Sequence, residues 1–162
     1  SYDPQVEGTS GTGTDGEIGY GVNYSGVEGL SLSYATTDVN DHTSTGAGDN
    51  SVIKATYAYG PVTVGFSEME HDENNTSGAG DITMTSYNIS YTVSDEISLS
   101  YGTEESNKGS ATTDLEVSGI SASYTSGGMT LSLTMQELEN GNWGTGSEED
   151  MDFYALGASF AF

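Results

Sequence analysis

The stretch Asp150–Phe162, DMDFYALGASFAF, decides the fold. Phe162, Phe160, Ala158, Leu156 and Tyr154 stand at every second position and are all apolar or aromatic. Ala161, Ser159, Gly157 and Ala155 between them are small or polar. Successive side chains of a β-strand point to opposite faces, so this segment is a strand with one greasy face and one small, wettable face.

Working outward, four more segments repeat it: IGYGVNY (18–24), IKATYAY (53–59), TSYNISY (85–91) and SGISASY (118–124), beside LGASFAF (156–162) itself. Each ends in an aromatic, so Tyr24, Tyr59, Tyr91, Tyr124 and Phe162 recur every 32 to 38 residues. After the first four come SGVEG, GP, TVSDE and TSGG, short runs with the composition of hairpin turns. The return segments LSLSY (30–34), VTVGF (62–66), ISLSY (97–101) and MTLSL (129–133) alternate apolar residues with Ser, Thr or Gly. The chain is thus a ladder of hairpins with nine strands over residues 17–162, preceded by a loop-like segment, 1–16. The other connections, roughly 37–50, 70–81, 104–114 and 138–149, are long and acidic.

Composition narrows the function classes. Twenty-five acidic residues oppose two lysines and no arginine, a formal charge of −23, so phosphate-binding surfaces for nucleic acid are excluded. Such charge with 33% hydrophobic residues would suit a disordered chain, but eleven tyrosines and strict period-two patterning argue for order. No run reaches the ~18 apolar residues of a membrane helix, so membrane residence would require a barrel. Cysteine is absent, which removes disulfide and thiolate chemistry. No signal peptide is visible, as expected if an exported protein has already lost it. A soluble β-sandwich also alternates, but its inner face needs bulky aliphatics and its outer face charge. Here the non-apolar face is Ser, Thr, Gly and Asn, which lipid on one side and water on the other explain better.

An aromatic-rich final strand closing on Phe, short turns on one rim and long acidic loops on the other resemble bacterial outer-membrane β-barrels, and general diffusion porins most. The resemblance covers residues 17–162 and implies a transmembrane antiparallel up-and-down barrel, of which this is the C-terminal part of about 16 strands. It places the turns in the periplasm, the long loops and segment 1–16 outside, and about 25 Å of apolar band against lipid. It also implies a Gram-negative outer-membrane location, a homotrimer, and Tyr154, Leu156, Ala158, Phe160 and Phe162 as the signal read by the barrel-assembly machinery. The function implied is a water-filled channel for passive diffusion of small hydrophilic solutes and ions. The inward loop and arginine cluster that narrow such pores match no residue here.

The remaining candidates follow from the register. Lys54 takes the face opposite Ile53, Ala55 and Tyr57, as a lysine must where lipid would cost it ~2–4 kcal/mol. Its two readings are a solvated wall residue, with or without a neighbouring carboxylate as partner, and a contributor to the pore's field. Glu17, Asn23, Thr56, Asn88, Ser98, Ser100, Ser132 and Thr134 share that face and complete a pore-lining wall. Asp38, Asp41, Asp49, Glu70, Asp72, Glu73, Glu104, Glu105, Glu148, Glu149 and Asp150 form an acidic mouth that would bias the channel toward cations. These acids could hold Ca²⁺ or Mg²⁺ weakly, without EF-hand spacing. His42 and His71, beside Asp41, Asp72 and Glu73, are solvated loop residues rather than a metal site, and no resident cofactor is expected. Trp143 reads as a loop anchor. The N-x-Thr and N-x-Ser patterns at Asn74 and Asn75 carry little meaning on a bacterial surface. No nucleophile–base set, phosphate cradle or zinc spacing occurs, so an enzyme is not expected. The alternative to a channel is a surface structural or adhesive β-protein whose acidic loops bind partners or divalent cations.

Overall fold

The computed structural model describes residues 2–3, 17–39, 48–73, 78–145 and 150–161. They form one antiparallel sheet whose strands follow chain order. The strands are β1 (Tyr2–Asp3), β2 (Glu17–Tyr24), β3 (Leu30–Val39), β4 (Gly48–Tyr59), β5 (Val62–Glu73), β6 (Ile82–Thr92), β7 (Ile97–Lys108), β8 (Leu115–Ser126), β9 (Met129–Glu139) and β10 (Met151–Phe160). The nine strands expected from the hairpin pattern are β2 to β10. A tenth, β1, falls in the segment expected to be loop, where Tyr2 pairs with Ile18 and Asp3 with Glu17. It occupies the end of an edge strand whose backbone groups would otherwise lack partners. β1 and β10 are the two edges, and the described sheet is open.

The turns follow from their glycines. Gly60 has φ 57° at the first central position of the two-residue turn that joins Tyr59 to its partner Val62. Pro61 fills the second position, where a fixed negative φ suits a II′-type turn. Gly127 and Gly128, with φ 58° and 81°, provide the two positive values that a I′ turn demands between Ser126 and Met129. The Ser94 hydroxyl accepts from the Glu96 and Ile97 amides and closes the β6–β7 turn.

At the opposite rim the strands run further than the apolar pattern alone reaches. β4 begins at Gly48, β5 ends at Glu73, β7 at Lys108 and β9 at Glu139, so parts of all four acidic connections are strand. The register explains this. Polar residues above the apolar band still pair their backbones, as Glu68↔Thr85, Glu70↔Thr83 and Glu116↔Glu139 do, and their side chains are exposed or half-buried, none of them packed into a core.

Period two sorts the strands into two faces. On one, cross-strand partners read Val62–Tyr91–Leu99–Ala122–Leu133–Leu156 and Val64–Ile89–Tyr101–Ile120–Met135–Tyr154. Phe66 and Tyr87, partners in the same band, hold their rings 5.3 Å apart and tilted by 46°. No hydrophobic side chain among the described residues is buried, and Leu156 and Tyr59 are 82% and 76% exposed. A sandwich would have packed these residues into a core. Here the apolar face has no protein layer over it, which rules out the sandwich for the described sheet.

Candidate functional site

The opposite face carries the polar chemistry. Asn23, Lys54, Thr56, Asn88, Ser98, Ser100, Ser132 and Thr134 all lie on it, through the pairings Asn23↔Ser33, Ser33↔Lys54, Asn88↔Gly102, Ser98↔Ser123 and Ser121↔Thr134. Glu17 falls on the same parity of β2, and its side chain is outside the described set. A row of hydroxyls crosses five strands as Thr63, Ser90, Ser100, Ser121 and Thr134. The Ser100 and Ser121 hydroxyls share a 2.6 Å hydrogen bond, and those of Ser98 and Ser123 one of 2.7 Å. Ser86, Ser121, Ser123 and Gln136 belong to this face too, and simple extension of the parity along β6, β8 and β9 would have found them.

Lys54 has Ser33 and Ser67 as its lateral partners. The diagonal positions on this face are Ser31, Ala35, Gly65 and Met69, and along its own strand come Val52 and Thr56. No carboxylate is among these eight neighbours, so of the two forms of the wall reading the register favours the solvated lysine without a carboxylate partner. Glu104, three strands away in the same row, accepts from the Ser86 hydroxyl at 2.8 Å.

The acids expected at one mouth divide between the faces. Glu73 and Glu104 share the parity of the hydroxyl face, whereas Asp38, Asp49, Glu70, Asp72 and Glu105 stand above the aromatic band on the apolar one. The sequence reading took them as loop residues around a vestibule, but in strands the side-chain period is two and loop location no longer groups them. Glu68, Glu116, Glu137, Glu139 and Asp152 join that second set, with Glu105, Glu116 and Glu139 directly opposed on three successive strands. Asp150 accepts from the Asn140 amide at 3.0 Å and caps the β9–β10 connection. Asp41, Glu148, Glu149, His42, Asn74, Asn75 and Phe162 lie outside the described residues. Tyr154, Leu156, Ala158 and Phe160 fall together on the apolar face of β10.

Two of the long connections are clasped together. The Trp143 indole N–H donates to the Ser106 carbonyl at 2.9 Å, and the Lys108 ammonium stands 4.8 Å from the indole ring centroid. Thr113 donates to the Trp143 carbonyl, and the Asn140 and Asn107 amides donate to Asp114. Trp143 therefore anchors its loop, on the β7–β8 hairpin. Ser106, whose carbonyl takes the indole hydrogen bond, is the one buried polar residue among those described, 3% exposed. His71 Nδ1 and Asn50 Oδ1 are 2.8 Å apart. Among the described residues no group of three or more His, Asp or Glu side chains is arranged to hold a metal ion. No helix is long and apolar enough to cross a membrane, which says nothing of strands.

An antiparallel sheet in strict chain order, apolar on one face and hydroxyl-lined on the other, defines a porin-like β architecture. No protein-family model and no curated protein matches the chain. Among solved structures it is similar to a porin at a TM-score of 0.64 and 19% identity, over 90% of this chain and 51% of the porin's. The likeness is one of fold, and the chain spans about half the length of that porin.

Proposed function

We propose that the protein is a channel-forming porin of the Gram-negative outer membrane, admitting small hydrophilic solutes and ions by passive diffusion. The single observation that carries this reading is the two-faced sheet. One face offers only apolar and aromatic groups over three to four successive outward positions per strand, about 20–25 Å at two-residue steps of ~6.8 Å. The other offers hydroxyls, amides and glycines suited to water. In this reading further strands close the open edges, the turns lie in the periplasm, and three copies assemble. The apolar residues of β10 are the segment we assign to the barrel-assembly machinery, and the protein is not an enzyme.

Cation preference belongs to the same proposal, motivated by the −23 charge and by Glu73 and Glu104 on the inner parity. Lys54 opposes it with one charge. The test is the zero-current potential of the full-length protein in a planar bilayer under a KCl gradient. Cation preference should be clear near 0.1 M, where the Debye length is ~10 Å, and fade toward 1 M, where it is ~3 Å. Glu73→Gln with Glu104→Gln should lower it more than Glu70→Gln with Asp72→Asn, whose side chains take the outer face. Anion preference would overturn the bias. Absence of conductance from folded protein would overturn the channel and favour a surface protein binding partners or divalent cations through its acids.

A further inference from the structure

We propose that Asn140–Gly141 is a modification site coupled to the loop clasp: opening the clasp lets Asn140 deamidate, and the acid so formed keeps the clasp open. The inference is independent of the channel reading, because it concerns only the β9–β10 connection and the β7–β8 hairpin that it grips. Asn140 is the one asparagine of the chain that is followed by glycine. The backbone nitrogen of the following residue, once a base has taken its proton, can attack the asparagine Cγ. A bond forms between that nitrogen and Cγ, the Cγ–Nδ2 bond breaks, and ammonia leaves with a proton returned by the base. Water then opens the cyclic imide at one of its two carbonyls. Opening at Cγ leaves aspartate. Opening at the main-chain carbonyl leaves isoaspartate, whose backbone runs through the side chain and is one atom longer. Glycine has no side chain to hinder the ring closure, whereas Asn142 precedes Trp143 and Asn107 precedes Lys108.

The fold restrains both reacting groups. Asn140 Nδ2 donates to the Asp114 carbonyl at 2.9 Å, and its backbone N–H donates to Asp150 Oδ1 at 3.0 Å, so neither its side chain nor its main chain turns freely. Gly141 is buried, away from the water or hydroxide that must take the proton from its nitrogen. These restraints hold as long as Trp143 stays on Ser106, Lys108 and Thr113. The backbone works against that state. Asn140, Asn142 and Trp143 have φ of 53°, 54° and 55°, all in the left-handed region. Asparagine enters that region readily, but a bulky residue such as tryptophan seldom does. A conformation of this kind persists only where its surroundings enforce it, so the clasp contacts hold a strained connection closed.

The product acts on the same contacts. Deamidation replaces the Nδ2 donor by a carboxylate oxygen, which can only accept. Toward the Asp114 carbonyl it sets acceptor against acceptor, and its charge joins those of Asp114 and Asp150. Lys108 is the one cation among the described residues of the clasp, and it is already placed over the indole. Aspartate fits the left-handed backbone as asparagine does, so that product works through the lost donor and the added charge. Isoaspartate also displaces Gly141 along the chain. Neither product restores the amide, so the step runs one way.

The test holds the full-length folded protein at mildly alkaline pH and samples it over time. Each sample is digested at acid pH, where the reaction is slow, and mapped by mass for replacement of NH₂ by OH at each asparagine. Acrylamide quenching of Trp143 is read on the same samples. Asn140 should convert at least fivefold faster than Asn142 or Asn107, with quenching rising in step. Lys108→Met with Thr113→Val removes two clasp contacts and should raise the initial quenching, and the Asn140 rate at least threefold. If that double variant does not fold by heat-modifiable mobility, Lys108→Met alone is read in the same way. Asn140→Gln, whose larger ring closes far more slowly, should keep its quenching constant, and Asn140→Asp should show raised quenching from the start. Conversion at Asn140 no faster than at Asn142 and Asn107 overturns the site. Equal quenching or equal rates in parent and variant overturn control by the clasp. Conversion without a change in quenching overturns the one-way release. Conductance enters none of these readings, so their failure leaves the channel test untouched.

Discussion

Replacing Leu133 by arginine should markedly destabilise folding into a bilayer, whereas the same change one residue earlier, Ser132→Arg, should be tolerated. Leu133 is the third of four apolar positions on its face of β9, after Met129 and Leu131 and before Met135. At ~6.8 Å per two-residue step, it stands ~14 Å above Met129, close to the middle of a 25 Å band. Its lateral partners are Ala122 and Leu156, which offer nothing to pair with a guanidinium. An arginine at midplane costs a membrane barrel ~2–4 kcal/mol. At ~1.4 kcal/mol per tenfold, the folded-to-unfolded ratio falls roughly 30- to 700-fold. Ser132 faces the other way and its partner is Gly157, whose missing side chain leaves space for the longer group. The assay is the urea dependence of folding into dilauroylphosphatidylcholine vesicles, read by heat-modifiable mobility. Equal costs at the two positions, or a larger cost at Ser132, would refute the face assignment, because a slip of one residue exchanges the two sides of every strand.

Two further outcomes follow from local geometry. Glu116 lies directly between Glu105 and Glu139, and like charges opposed across strands destabilise, so Glu116→Gln should raise folding stability by ~0.2–1 kcal/mol in urea titration at low salt and by little at 1 M. Unchanged stability at low salt would mean the three carboxylates do not feel one another. Trp143 is the chain's one tryptophan, so its fluorescence reports the loop clasp alone. Lys108→Met removes the ammonium held over the ring, worth ~0.5–1 kcal/mol at an exposed site, and should increase acrylamide quenching of Trp143, whereas quenching as in the parent would show the clasp held by hydrogen bonds alone.

The sheet was legible in the sequence because one physical rule, period two, operates in every strand and each copy checks the others. The turns were legible for a related reason, since Gly60, Gly127 and Gly128 supply positive φ where a tight hairpin needs it. The upper ends of the strands were not. There the apolar face gives way to Glu68, Glu70, Glu105 and Glu116, and a strand polar on both faces has the composition of a loop. The Trp143 clasp was legible only as an anchored side chain. Its partners Ser106, Lys108 and Thr113 come from a hairpin some thirty residues earlier, and only the register brings them alongside.

The same rule changes what net charge can mean for a porin-like chain. A count of acids in connections treats them as one field at one opening, and on that count the mouth should be strongly negative. Once those connections are partly strand, Glu73 and Glu104 stay with the hydroxyls, while Asp38, Glu70, Asp72 and Glu105 stand on the apolar face beyond its aromatic band. In the proposed channel, charges on the two sides of one wall would act on different partners: ions in transit on one side, the polar surface of the surrounding membrane on the other. Among the described residues, the lumen of the proposed channel would then carry Glu73, Glu104 and Lys54, a modest field rather than a dominating one. Selectivity in this reading should therefore respond to single inner-face substitutions, and hardly at all to the larger number of acids without.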